Sequence, residues 1–250
     1  MLLFACSESH LSFKGIPIDG NIELFTKRME KKGFTIFDYP TVEYVRGKEI
    51  LVEQSYQGSF WSDREFSNAE VSVYATPVTG TVFEVLAVMD YDDFFKDMSV
   101  KDFGTYVELL REKYGEPIIK QYSKDYDIEF FDENDSDGKR ISLSSAKSLS
   151  TDIETMGFFG TRRYSDTFLK PSDDALERFA EEKSGCYIAT YETKNGFIRL
   201  ALYIDLNTWG KDYNEYGLGF VYLDKKNFEK EKMEIDEFIR LKKIQQLNEL

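Results

Sequence analysis

Apolar residues recur at helical spacing in a central segment, residues 99–117 (SVKDFGTYVELLREKYGEP). Positions three or four apart share one face of a helix, so the segment predicts a helix with one buried face. Ser99 can cap its start, and Gly115 followed by Pro117 is typical of a helix end. The apolar positions that predict the buried face are Val100, Phe103, Val107, Leu110 and Tyr114.

A second helix is predicted earlier in the chain. Asp19 or Asn21 can cap it, and Ile22, Phe25 and Met29 then face inward at helical spacing. Around the two helices, apolar runs bounded by turn residues predict strands. These runs are residues 34–37, 50–57, 70–75, 81–89, 118–131, 140–144, 186–193, 196–206 and 218–223. The runs at 186–193 and 196–206 predict a hairpin, and Asn195-Gly196 at its turn is typical of a type I′ turn.

The order of helix then strands occurs twice, in halves at about residues 11–97 and 98–224. Short hairpin-type connections favour an antiparallel sheet with helices gathered on one face. We therefore predict an α+β fold, with a mainly antiparallel sheet, helices on one face and two helix-then-strands units in tandem within a single domain at 11–224. Residues 225–250 predict a charged helical tail that is frayed or serves as an interaction arm.

Composition narrows the classes of partner. The 250 residues include 21 Phe and 16 Tyr, an aromatic content typical of a packed globular chain rather than a disordered one. The formal net charge of −14 would repel a phosphate backbone or an anionic membrane surface. We therefore expect no nucleic-acid partner.

The first ten residues suggest export. Residues 1–5 (MLLFA) are apolar but too short for a complete signal, so they are interpreted as the end of one whose start lies upstream. LFAC is similar to a bacterial lipobox, with Cys6 as the residue that would be lipidated. Residues 1–10 are then a tether at the cell envelope, and a lipid on Cys6 is the only expected membrane contact. The alternative is a cytoplasmic protein with a frayed start.

Four motifs resemble a known group of proteins. They are FKGIPIDG at 13–20, KKGF at 31–34, LREKYGEP at 110–117 and VYLDKKN at 221–227. On these motifs the chain resembles a family of uncharacterised, mostly exported proteins of Bacteroides-type bacteria. The resemblance implies a tandem α+β arrangement, similar to that of β-lactamase-inhibitor-type proteins, and an export signal. It implies no substrate.

The acidic loop at 132–138 (DENDSDG) is a weak metal candidate. Glu133, Asp135 and Asp137 match alternate ligand positions of a calcium-binding loop. The bidentate carboxylate that closes such a loop is missing, because Ser144 occupies its position. We therefore expect a solvated hairpin loop, with no metal and no cofactor.

The sequence offers little for catalysis. Asp90, Asp92, Asp93 and Asp97 form a second acidic cluster, which would carry the alternative function of a carboxylate-type enzyme such as a glycosidase. Acidic residues before a helix are also stabilising without any chemistry. His10 is the only histidine and lies at the end of the predicted tether, so triad chemistry is not expected. No catalytic residue is assigned.

Aromatic residues in turn-rich segments give the only positive indication of function. Exposed aromatic side chains are a common means of binding peptides or carbohydrates, and the candidates are Trp61, Trp209, Tyr213 and Tyr216. The preferred hypothesis is a non-enzymatic cell-envelope protein that binds a protein or a glycan. The alternatives are the glycosidase and a cytoplasmic adaptor that uses residues 225–250 as its contact element.

Overall fold

The computed structural model describes residues 10–59, 68–91, 96–122, 127–129, 140–142, 185–205 and 215–248. The helices are α1 (Ile22–Lys31), α2 (Lys96–Tyr114) and α3 (Lys225–Asn248). The strands are β1 (Ser12–Phe13), β2 (Ile16–Pro17), β3 (Thr35–Ile36), β4 (Thr41–Val45), β5 (Lys48–Ser59), β6 (Asn68–Ala75), β7 (Val82–Tyr91), β8 (Ile118–Tyr122), β9 (Asp127–Glu129), β10 (Arg140–Ser142), β11 (Gly185–Thr193), β12 (Gly196–Asp205) and β13 (Glu215–Asp224).

Nine of the described strands form one antiparallel sheet. Its order is β3-β5-β6-β7-β13-β12-β11-β8, and β4 pairs with β5 beside β3. The first half of the chain supplies the strands up to β7, and the second half supplies the rest. The two halves meet where β7 and β13, the last strand of each, pair along Glu84–Leu223 to Tyr91–Tyr216. The predicted α+β fold, with helix-then-strands units in tandem, is confirmed.

Helix α1 forms as the sequence predicts. Asn21 is its N-cap, and its side chain accepts a hydrogen bond from the Leu24 amide at 3.0 Å. Ile22, Phe25 and Met29 are all buried against the sheet. The local spacing of apolar residues therefore sets both the helix and the face that it buries.

Helix α2 begins earlier than its capping pattern suggests. It starts at Lys96, so Ser99 lies within the helix and is not its cap. Its end is as predicted, because Gly115 has a φ of 89° and donates a backbone hydrogen bond to Arg111 at 2.8 Å. Phe103 is fully buried, and Tyr114 packs against the same core.

The two faces of the sheet are covered by different helices. On β7, Val85 and Ala87 point into the main core, which also contains the inner faces of α1 and α2. The intervening Leu86 lies in a second apolar cluster with Phe228 of α3. The helices of the two predicted units thus share one face, as expected, and α3 packs on the other.

Helix α3 covers most of residues 225–250, for which the sequence predicts a frayed or interacting tail. Ile235 and Phe238 are buried, so the helix is instead docked for most of its length. Glu234 holds it to the β6–β7 turn, because its carboxylate accepts hydrogen bonds from the amides of Val78 and Thr79, each at 2.9 Å. Burial alone would raise the pKa of Glu234, but these bonds and those from the Thr79 and Thr76 hydroxyls outweigh it, and the pKa is lowered.

Two local predictions are wrong. Strands β9 and β10 pair in parallel, so the loop between them does not close a hairpin. The sequence Asn195-Gly196 also does not form a type I′ turn. The two turn residues are Lys194 and Asn195, and neither has the positive φ that this turn type requires. Positive φ values at both turn residues occur instead at Lys14-Gly15 and Arg46-Gly47.

Candidate ligand-binding cleft

A cleft of about 540 Å³ opens where the start, middle and end of the described chain meet. Its volume is within the range of small-molecule binding sites. The β1–β2 hairpin and the two residues before it form one wall, the C-terminal turn of α2 a second, and the β11–β12 turn with β13 a third. The lining residues are His10, Leu11, Ser12, Lys14, Gly15, Leu110, Lys113, Tyr114, Thr193, Lys194, Asn195 and Tyr222.

The β1–β2 hairpin is a rigid wall. Lys14 and Gly15 have φ values of 48° and 76°, which are those of a two-residue type I′ turn. Phe13, before the turn, is fully buried, and its ring centroid lies 5.3 Å from that of Tyr222 in an edge-to-face contact. The hairpin is therefore anchored to β13, and its turn faces the cleft.

A buried carboxylate positions the residues before this hairpin. Asp224 is fully buried, and its Oδ2 accepts hydrogen bonds from His10 Nδ1 at 3.2 Å and from the Leu11 amide at 2.8 Å. Its Oδ1 accepts from the Asn227 amide at 3.0 Å, which makes Asp224 the N-cap of α3. The Asn227 side chain in turn donates to the carbonyl oxygen of Ile18 at 2.9 Å. One short segment of the chain thus fixes His10 at the edge of the cleft.

The cleft is cationic although the chain is acidic. Lys14, Lys113 and Lys194 line it, and no aspartate or glutamate is among its described lining residues. Lys14 Nζ donates to the carbonyl oxygen of Ser59 at 3.0 Å. Burial, together with the nearby charge of Lys32, lowers the pKa of Lys14. Lys14 is therefore held at the hairpin, whereas the exposed Lys113 and Lys194 lie on the other two walls.

Two tyrosines contribute aromatic surface. Tyr114 and Tyr222 are half-buried, and both line the cleft. Lys113 Nζ lies 4.9 Å from the centroid of the Tyr114 ring, a cation–π distance. Burial raises the pKa of Tyr222, so its phenol is protonated at neutral pH and can both donate and accept hydrogen bonds. With Ser12, Thr193 and Asn195, the cleft combines aromatic, cationic and neutral polar groups.

Three of the candidate residues that the sequence singles out belong to described strands or helices. Tyr216 belongs to β13, where it pairs with Tyr91 and Ile204. Asp90 is in β7 and Asp97 in α2. The other candidates lie outside the described residues: Cys6, Trp61, Asp92, Asp93, Glu133, Asp135, Asp137, Trp209 and Tyr213.

Sequence reasoning missed His10 and Asp224 because their contact spans 214 positions. Two segments of the sequence contribute to the cleft, the Lys14-Gly15 dipeptide between apolar residues and VYLDKKN. In the sequence, both belong to motifs that carry the family resemblance. Neither could reveal that the two segments meet.

A second exposed surface lies at the edge of the sheet. From β3 to the start of β4 the chain exposes six consecutive residues, 35–40. Ile36 and Phe37 are each 51% exposed, and Tyr39 is 94% exposed. We call this surface the β3 edge. It carries apolar side chains, and among the described strands β3 pairs only with β5, so that its outer edge is open, as is common at strand-addition sites.

Among the described residues, no group of three or more His, Cys, Asp or Glu side chains is placed to hold a metal ion. None of the described helices has the length and apolar character needed to cross a membrane.

Comparison with protein families, with curated proteins and with solved structures finds no match. The resemblance to the exported Bacteroides-type family therefore stays a prediction.

Proposed function

We propose that this protein is a non-enzymatic binding protein and that the cleft holds a glycan. The observation that supports this most directly is the composition of the cleft, which combines two half-buried tyrosines with neutral hydrogen-bonding side chains in one concave site. Sugars present apolar C–H faces and dense hydroxyl groups, which such a lining can match. The cleft extends the hypothesis from exposed aromatics to a site with defined walls.

The concave shape favours a glycan over a protein at this site. A stable protein interface buries about 800 Å² on each partner, usually over a fairly flat surface. A cleft of about 540 Å³ instead encloses a small molecule or the end of an oligosaccharide. Its walls are held by Asp224 and by the Phe13–Tyr222 contact, so little ordering is needed when a ligand enters.

The test compares a cleft variant with a surface variant on a glycan array, followed by calorimetry. Tyr114→Ala removes an aromatic wall, whereas Tyr44→Ala removes a tyrosine that is 54% exposed on β4. We expect Tyr114→Ala to abolish detectable binding and Tyr44→Ala to leave it unchanged. Circular dichroism shows whether each variant is folded. A folded wild-type chain that binds no glycan, or binds only peptides in the cleft, refutes the proposal.

A second candidate function is supported by the β3 edge. Its exposed apolar side chains and open backbone groups suit a protein partner that adds an extended strand. Ile36→Lys should then prevent capture of that partner by cross-linking. Leu24→Lys, on α1 where the leucine is 45% exposed, is the matched control. Equal capture by both variants would remove this candidate.

The proposed location is the cell envelope. It is supported by the similarity of LFAC to a lipobox, with Cys6 as the lipidated residue. Envelope proteins meet extracellular glycans directly, so this location agrees with the proposed ligand. The sequence of the DNA upstream of Met1 tests it against the cytoplasmic alternative.

A further inference from the structure

The charge of the cleft contrasts with that of the whole chain. The formal net charge is −14, with 46 acidic and 32 basic side chains. The described lining of the cleft instead includes three lysines and no carboxylate. A cleft of one sign raises the local concentration of ligands of the opposite sign. The ligand is thus expected to carry negative charge where it meets these lysines.

Two of the lysines are placed to meet a ligand. Lys113 and Lys194 are exposed, and neither takes part in the ion pairs found among the described residues. Lys113 comes from the last turn of α2 and Lys194 from the β11–β12 turn, so they lie on different walls.

We propose that the ligand is a short acidic sugar whose anionic group binds between Lys113 and Lys194. This inference rests on the proposed glycan-binding function and adds the chemical class of the ligand. Lysine is a point charge with three donors, so a carboxylate and a sulfate present the same chemistry to it. The sugar ring then lies near Tyr114 and Tyr222, and its hydroxyls meet Ser12, Thr193 and Asn195.

The volume of the cleft limits the length of the ligand. A space of about 540 Å³ is the size of a small-molecule site. The acidic sugar is therefore expected as a small oligosaccharide and not as a long polyanion.

The experiment measures affinity by calorimetry with four probes: digalacturonate, neutral galactobiose, sulfated galactobiose and long-chain polygalacturonate. Each lysine contact at a solvent-exposed site is expected to change affinity by about three- to fivefold. Lys113→Gln and Lys194→Gln should each weaken digalacturonate binding by that factor. Lys101→Gln, an exposed lysine on the same helix α2 outside the cleft, should not.

The outcomes separate the two proposals. The acidic sugar is supported if digalacturonate or sulfated galactobiose binds at least tenfold more tightly than galactobiose and if only Lys113→Gln and Lys194→Gln weaken that binding. The tighter of the two acidic probes identifies which anion is preferred. Galactobiose that binds equally well, still dependent on Tyr114, overturns the acidic class but retains glycan binding. Tighter binding of polygalacturonate per sugar overturns the limit on length. Binding of none of the four overturns the inference, and a silent glycan array then overturns the proposed function too.

Discussion

Replacing Asp224 with alanine should destabilise the protein. The carboxylate is fully buried and accepts three hydrogen bonds, from His10 Nδ1, the Leu11 amide and the Asn227 amide. Its loss removes the N-cap of α3, which is typically worth about 1 kcal/mol. It also leaves the buried Leu11 amide without its acceptor, at about 1–3 kcal/mol.

Together these effects predict a loss of about 2–4 kcal/mol in the free energy of unfolding. For a chain of this size, that corresponds to a fall of about 4–16 °C in Tm. Urea titration followed by circular dichroism measures the first quantity, and calorimetry measures the second. Asp224→Asn retains one acceptor oxygen and should lose about half as much.

Asp236→Ala is the matched control, because Asp236 is an exposed acidic residue on the same helix. It should change stability by less than about 0.5 kcal/mol. His10 is the only histidine, so its imidazole signals in an NMR spectrum report directly on the contact and should move in Asp224→Ala. A loss below about 1 kcal/mol in Asp224→Ala, with unchanged imidazole signals, would refute the role assigned to this carboxylate.

Three other predictions follow from single contacts. Because the pKa of Glu234 is lowered from 4.5, its stabilising effect is present above pH 4.5 and disappears as the pH falls through the lowered pKa. Glu234→Gln should therefore flatten this part of an acid-unfolding curve. A curve identical to that of the wild type would contradict this prediction. Gly196→Ala would place a Cβ 1.9 Å from the Leu223 carbonyl oxygen, so we expect a loss of more than about 2 kcal/mol in urea titration, whereas wild-type stability would contradict the close approach. Labelling of cells with a fatty-acid analogue should mark the full-length precursor product and not its Cys6→Ser variant; equal labelling would exclude lipidation at Cys6.

The sequence predicts those parts of the fold that short-range spacing determines. Asn21 and the apolar residues at helical spacing after it specify α1. The continuous apolar run of β7 is typical of a central strand, which is where β7 lies in the sheet. The start of α2 was misplaced because Ser99 has the chemistry of a cap, yet the helix continues before it. Capping residues are also compatible with positions inside a helix.

Gly196 shows how a correct residue can be assigned the wrong reason. Asn195-Gly196 is the strongest short-range signal for a type I′ turn, but Gly196 lies in β12 and faces Asp224 of the neighbouring strand. Glycine is needed there because β13 passes too close for a side chain. The sequence does not predict the docking of α3, because its apolar residues are sparse. One of its contacts with the sheet is made by Glu234, a charged residue that sequence patterns place in solvent.

The cleft could not be predicted, because each of its walls comes from a different part of the chain. His10 looks like part of a tether until Asp224 is placed beside it. The excess of acidic residues likewise hides a cationic site, since net charge describes the whole surface and not its parts.

The assembly of these walls has a consequence for protein synthesis. A ribosome makes residues 10–15 long before Tyr222 and Asp224, which complete and hold the cleft. A nascent or prematurely terminated chain that stops after β12 therefore lacks a finished binding site, however well its first half has folded. Ligand binding by a nascent chain then indicates that translation has passed residue 224.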